Sequence, residues 1–431
     1  MKQPKIDIYN HVMPPSYLSL VNQHGKEPGM VRRMNSLRML WDMEARVTML
    51  NAWPEVQQVI SLAVPSPEML GGREESPAYA RIANEGMAEI CRRWPDKFPT
   101  FVASLPMNNP AAALVEMDPA IEKLSAKGIQ ILTSVNGRAL DEPEIFQIFE
   151  RITHKHKMPV WMHPTRPASK PDYANEDKSK YEIWQVLGWP VETSVAMSRM
   201  VFSGLLDRLP GLRLITHRCG GMLPYFAGRA ETLWTQMGSR GDGSEANVLK
   251  SLSKPPIAYF KMFYGDTMLG GSSSALRCGL DFFGPDKVVF ASDCPFDPEE
   301  GPMFIREGIR SIEDLDLNRH RGQPLGCSPA TPPGMRVRTG WVEWLRSCVG
   351  LPHHAPGFAD LGSAKWVHSL PHLFGLHPYR LCGELHSREH LIPIRIKNDN
   401  CVASPCRAAA LSAASRLVLL SNANWNEALP F

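Results

Sequence analysis

No CxxC pair occurs anywhere in the 431 residues, and the cysteines number nine, an odd count. That excludes an obvious disulfide framework and favours reduced thiols. Charge of one sign is also missing. The 47 Lys and Arg stand against 44 Asp and Glu, and a net +3 is too small a surplus for a nucleic-acid or anionic-membrane surface. No apolar run approaches the roughly 18 residues of a membrane span, and no apolar segment follows a basic start. A cytoplasmic protein is therefore expected. Neither GxGxxG nor GxxxxGK[ST] is present, which argues against a phosphate-cradling loop. What is there is a hydrophobic fraction of 43% and a charged fraction of 21%, enough for a packed core.

Residues 1–318 have a regular rhythm. Short apolar, β-branched runs, "KIDIYNH", "VQQVISLAVP", "FPTFVASLP", "GIQILTSV", "PVWMHP", "LRLITHR", "FKMFYGDT" and "KVVFASDCP", alternate with amphipathic stretches at 42–53, 77–94, 110–127, 142–157, 191–209, 222–237 and 272–283. Eight strands alternating with helices is the count of a closed (β/α)8, TIM-like barrel. An open doubly wound sheet is the competitor, but it usually carries a Gly-rich phosphate loop after an early strand.

Composition changes near residue 318. Residues 319–431 hold eight of the fourteen histidines and five of the nine cysteines, with twelve Lys and Arg, of which only Lys365 and Lys397 are lysine. The stretch "RHRGQPLGCSPATPPGMRVRTG" has neither helical nor strand period. A barrel domain over 1–318 followed by an atypical tail over 319–431, frame-shifted or poorly ordered, is one expectation. A genuine extension with short helices such as "RAAALSAASRLVLL" is the other. The histidines at 353, 354, 372 and 377 match no closed ligand spacing.

In a parallel barrel the chemistry sits at the C-terminal ends of the strands. Strand one ends on His11, strand five on His163, strand six on His217, strand seven on Asp266 and strand eight on Asp293. Three of the six histidines before residue 318 thus fall at strand ends. Neutral imidazoles with a carboxylate suit a divalent ion such as Zn²⁺ or Mn²⁺, and a further His beside an Asp can move a proton near neutral pH. Taken singly, each of these side chains is more ordinarily structural. Asp266 is expected to cap the turn that follows it, Cys219 and Cys294 to be small buried residues, and Trp41, Trp161 and Trp189 to be packing. Gly220-Gly221 suit a tight turn or an anion at a helix N-terminus. Arg46 or Arg166 could hold a carboxylate, and position favours Arg166.

The stretches "DIYNHVMP", "GIQI", "PVWMHP", "ITHRCGGMLPY" and "VVFASDCPFD" resemble the amidohydrolase superfamily, in the branch of aminocarboxymuconate-semialdehyde decarboxylase and the aromatic-acid decarboxylases. The resemblance implies a distorted barrel with one divalent metal ion, Zn or Mn, with His11, His163 and Asp293 as metal ligands. It makes His217 the proton-transfer residue, acting with Asp293. It further implies a carboxy-lyase releasing CO₂ from a small aromatic or enoic carboxylic acid, with hydrolysis of a lactone, ester or amide as the alternative; Tyr9 and the tail suggest a non-catalytic barrel as the third. A homodimer is the expected assembly. Tyr9 departs from the pattern, because relatives carry His or Glu there. A phenol of pKa ~10 is a weak ligand at neutral pH, so Tyr9 is expected as an optional fourth ligand or a substrate hydrogen-bond donor. The helical closing segment of such relatives is not found after residue 318.

Overall fold

The computed structural model of the chain describes residues 4–320. Eight strands appear in the expected order: β1 (Lys5–Val12), β2 (Val56–Leu62), β3 (Ala103–Ser104), β4 (Ile129–Leu132), β5 (Val160–His163), β6 (Leu214–Thr216), β7 (Tyr264–Asp266) and β8 (Val288–Val289). Every pairing between them is parallel. β1 pairs with β2, and β3 to β8 pair consecutively.

Two seams join the pieces into a ring. Ile60 bridges Phe101 between β2 and the approach to β3. On the other side, Ile8 N donates to Phe290 O at 2.9 Å, Asp293 N to Tyr9 O at 2.9 Å, and His11 N to Cys294 O at 2.8 Å. The chain just past β8 therefore continues pairing with β1 although its regular strand is only two residues long. The expected closed barrel is what forms, with strands shorter than their apolar runs.

Side chains sort by the strand's period of two. Ile6, Ile8, Val59, Val102, Trp161, Ile215 and Val289 form one buried cluster inside the ring, and Trp161 Nε1 donates across it to Ile8 O at 2.8 Å. Trp161 is thus packing, as expected. A larger cluster, including Ile60, Ile129, Ile131, Val160 and Met162, lies between the strands and the helices. Helix Ser76–Arg93 shows why the helices dock there. Its buried Ala80, Ala83, Met87 and Ile90 recur at three- and four-residue intervals on one face. Pro110 opens helix Pro110–Glu122, where a missing N–H is harmless, and Asn109 caps it by accepting from Ala112 N.

After β6 four successive residues, Arg218, Cys219, Gly220 and Gly221, adopt positive φ, so the chain reverses sharply as it leaves the strand. A Cβ on Gly221 would lie 2.3 Å from Pro190 O, so close approach as well as conformation calls for glycine there. The composition change near 318 falls within the last turn of helix Pro302–His320. The tail beyond it, with its clustered histidines, lies outside the described residues. Among the described residues no helix is long and apolar enough to cross a membrane.

One buried group makes stability depend on pH. Glu68 follows β2 on the short helix Pro67–Leu70, is 2% exposed, and leaves Oε2 without a hydrogen-bond partner. Burial raises its carboxyl to about 7 from 4.5. A raised carboxyl favours the protonated fold, so its contribution is intact below the unfolded value and is lost as pH climbs through 4.5 to 7. Across that window the loss amounts to about 3 kcal/mol. Glu68→Gln is therefore expected to be more stable than wild type in urea melts at pH 8, with the difference disappearing at pH 4. Equal gains or losses at both pH values would contradict this.

Candidate metal and active site

The ends of β1, β5, β6 and β8 deliver four side chains to one point. One ligand atom from each of His11, His163, His217 and Asp293 lies within 4.8 Å of the others, and all four residues are buried. Neighbouring hydrogen bonds set the tautomers. Ser61 Oγ donates to Asn10 O at 2.9 Å and lies 3.2 Å from His11 Nδ1, so it accepts the Nδ1–H. His163 Nδ1 lies 2.7 Å from Pro164 O, which can only accept. Both rings therefore carry their proton on Nδ1 and turn an Nε2 lone pair inward, the arrangement that outer partners impose on metal-binding histidines. Burial holds His11 and His163 below the ordinary imidazole range, His163 well below, where neighbouring His11 and His217 add to the effect. Both are neutral at pH 7, as ligands must be.

His217 is different. Its Nδ1 meets Asp266 Oδ2 at 2.5 Å, and Asp266 Oδ1 accepts from the backbone of Cys219 and Met268. Burial alone would depress the ring, but Asp266 and Asp293 together outweigh it and raise its pKa. Asp293, in a left-handed conformation at φ 60°, places Oδ1 3.1 Å from His11 Nε2 and 3.2 Å from His217 Nε2, and Oδ2 accepts from Arg218 at 3.1 Å. Burial would raise this carboxyl, yet His217 and Arg218 keep it well below the usual range.

Tyr9 Oη, His11 Nε2 and His217 Nε2 are among the buried polar atoms here without a hydrogen-bond partner. The short contacts to Asp293 lack hydrogen-bond geometry. Orphaned atoms at this density, with two inward lone pairs and an ionised carboxylate, fit a divalent cation. Tyr9 stacks obliquely on His217 with ring centres 4.3 Å apart. Burial, then Asp266 and Asp293, push its phenol well above 10. It is a neutral hydroxyl.

His11, His163, Arg218 and Asp293 line a cavity of about 1090 Å³, walled by Trp184, Trp189 and Phe296, with Lys26, Arg32 and Arg33 also on its lining. A hollow of about 920 Å³ on the outer helices near Phe202 and Trp234 holds none of the strand-end side chains. In a second cluster, of Asp118, Glu122 and His156, the two carboxylates are already met by Arg151, Lys155 and His156.

The residues expected from strand ends thus converge, and Asp266 proves to be more than a turn cap. The two arginines do not behave as expected. Arg166 donates to Asp172 Oδ1 at 2.9 Å and to Pro171 O, and is not among the cavity-lining residues. Arg46 is fully buried against main-chain carbonyls. Arg218 is the cation that stands beside Asp293 on the cavity lining. Its position directly after His217 was the available signal, but sequence gives no side-chain direction. Trp189, expected as packing, lines the cavity with Nε1 unpartnered. Cys219 and Cys294 are buried thiols pushed up by that burial, as expected.

A family model for amidohydrolases matches residues 6–330. The chain belongs to the amidohydrolase family. It is 28% identical over 332 residues to a 2-amino-3-carboxymuconate-6-semialdehyde decarboxylase of Dictyostelium discoideum, covering 72% of this chain and 86% of that protein. Its fold is similar to that of a 2,6-dihydroxybenzoate decarboxylase from Rhizobium, with a TM-score of 0.59 at 22% identity over 72% and 92% of the two chains. It is also similar to that of a 5-carboxyvanillate decarboxylase from Novosphingobium aromaticivorans with bound manganese, with a TM-score of 0.61 at 21% identity over 73% and 92%. This amidohydrolase is an enzyme, a carboxy-lyase or hydrolase.

The His217–Asp266 pair gives a direct test within this amidohydrolase. Asp266→Asn should shift the His217 imidazole to titrate at lower pH than in wild type, followed by NMR of the ring protons in metal-free protein. An unchanged titration would mean that Asp266 does not sustain the charge on His217.

Proposed function

We propose that this enzyme catalyses metal-dependent, non-oxidative decarboxylation of a small aromatic or enoic carboxylic acid. The observation that carries the reading is the division of labour among the histidines. Two are neutral with inward lone pairs, and the third is tied to a buried carboxylate that favours its protonated form. The names of the relatives support the substrate class.

His11, His163 and Asp293 would hold the ion, with Tyr9 beside them and Zn²⁺ or Mn²⁺ as the candidates. The manganese in the related 5-carboxyvanillate decarboxylase supports Mn²⁺. When bound, the ion supplies positive charge that orients the acid's oxygens and stabilises electron density drawn toward them. Arg218, on the cavity wall beside Asp293, offers a charge-assisted hydrogen bond to a substrate oxygen. Trp184, Trp189 and Phe296 offer a flat apolar surface to a ring and exclude water from it. His217 carries the proton on Nε2, on the side of Asp293, while Asp266 holds Nδ1. As the bond between ring carbon and carboxylate breaks, its electron pair remains on the carbon. His217 Nε2–H delivers the proton there, CO₂ leaves, and water reprotonates the imidazole. Asp293, beside both His11 and His217, stabilises the imidazolium before transfer. Tyr9 Oη donates to a substrate oxygen. A reducing, cytoplasmic setting is supported by the free thiols Cys91, Cys219, Cys278 and Cys294.

The test is CO₂ release from a panel of hydroxybenzoic and unsaturated acids by protein loaded with Mn²⁺ or Zn²⁺. CO₂ in step with loss of the acid, without oxygen uptake, is expected. Ester, lactone or amide hydrolysis in its place would overturn the reading. His163→Ala should lose most of its bound metal by elemental analysis. His217→Asn should keep the metal and lose about 10²–10⁴-fold in turnover, the usual range for a proton-transfer group.

Tyr9 separates two roles. Tyr9→His should tighten metal binding in a chelator competition, because an imidazole needs no deprotonation at pH 7. Tyr9→Phe should leave metal affinity close to wild type and weaken turnover. Loss of metal in Tyr9→Phe would make the tyrosinate a ligand instead.

A further inference from the structure

Beneath the site lies a buried polar chain that touches neither the cavity nor the expected substrate. Arg46 is completely buried. Its Nε and one terminal nitrogen donate to Gln58 Oε1 at 3.0 and 2.9 Å. Its terminal nitrogens also donate to His11 O at 3.3 Å, Met39 O at 3.1 Å and Cys294 O at 3.4 Å. Gln58 Nε2 in turn donates to Asp7 Oδ2 at 2.8 Å. Asp7 then accepts from Ser292 N at 3.0 Å and from Ser292 Oγ at 2.5 Å, and Ser292 Oγ accepts from Cys294 N at 3.1 Å.

The chain therefore grips residues 292 and 294, the two neighbours of Asp293, and the carbonyl of His11. Asp293 itself is held at φ 60°, a conformation that non-glycine residues adopt at a cost and keep only where their surroundings over-determine it. We infer that Arg46, Gln58, Asp7 and Ser292 form a positioning relay that sets the aim of His11 and Asp293. It does so by locking the β1 and post-β8 backbones to one another. The inference rests on the reading of that pair as metal ligands. Arg46 suits the role because its planar fork satisfies an amide oxygen and main-chain carbonyls on both segments at once, which a lysine ammonium cannot do.

The experiment measures Mn²⁺ affinity of the full chain by chelator competition, with thermal melting in parallel. Four variants are compared: Ser292→Ala, Ser292→Thr, Arg46→Lys and Met117→Ala. Met117 is a buried core residue of helix Pro110–Glu122, outside the relay, so its loss reports general destabilisation. Ser292→Ala and Arg46→Lys should weaken Mn²⁺ binding roughly 10- to 100-fold, the usual effect of removing an outer partner of a metal ligand. Ser292→Thr keeps the hydroxyl and should restore binding, and Met117→Ala should melt lower with affinity unchanged. If Arg46→Lys does not fold, the Ser292 pair decides. Wild-type affinity in Ser292→Ala, or the same weakening in Met117→Ala, would overturn the relay alone. A wild-type protein that takes up no Mn²⁺ would overturn the metal reading together with it.

Discussion

The seam between β1 and the chain leaving β8 is the constraint on which the rest depends. A parallel barrel becomes a closed object only when its last strand finds its first. Here β8 has two residues of regular pairing, so closure is carried by hydrogen bonds beyond it, from Ile8, Asp293 and His11 to their partners across the seam. Two of those three donors are the main-chain N–H groups of His11 and Asp293, whose side chains meet at the site. Closing the barrel and assembling the site are thus one event, and residues 292–294 are gripped from the β1 side and from Arg46 below.

Electrostatics follow from that geometry. Three imidazoles, a phenol, an arginine and two carboxylates share a volume from which water is largely excluded. In such surroundings each charge must be answered locally. Asp266 answers His217, and His217 and Arg218 answer Asp293. His11 and His163 find no carboxylate in hydrogen-bond geometry and remain neutral. The same crowding keeps Tyr9 protonated. Tyr9 is consequently a neutral hydroxyl whose oxygen has no hydrogen-bond partner.

Much of this is legible in one dimension. The eight strands announce themselves because buried strands are apolar runs, and the strand-end rule turns His11, His163, His217 and Asp293 into neighbours although they are far apart in the chain. What is not legible is direction and distance across the ring. "GD" at the end of β7 reads as a turn signal, and only the 2.5 Å contact makes Asp266 the partner of His217. Arg166 looks well placed three residues after His163, yet Asp172 on the following loop captures it. Arg46 looks like a carboxylate clamp, but burial under β1 gives it backbone carbonyls to bind. Trp189 reads as packing because an indole's environment is set by which helix face turns toward the strands, and here it lines the cavity with its N–H unpartnered.

The central claim is that a single divalent ion is held where these strand ends meet. Anomalous diffraction at the manganese edge, on crystals grown with Mn²⁺, addresses it most directly. The account predicts one strong anomalous peak bounded by Nε2 of His11, Nε2 of His163 and the Asp293 carboxylate, with the His217–Asp266 pair intact beside it. A peak elsewhere on the barrel, or none at this point in crystals that hold manganese, would contradict it.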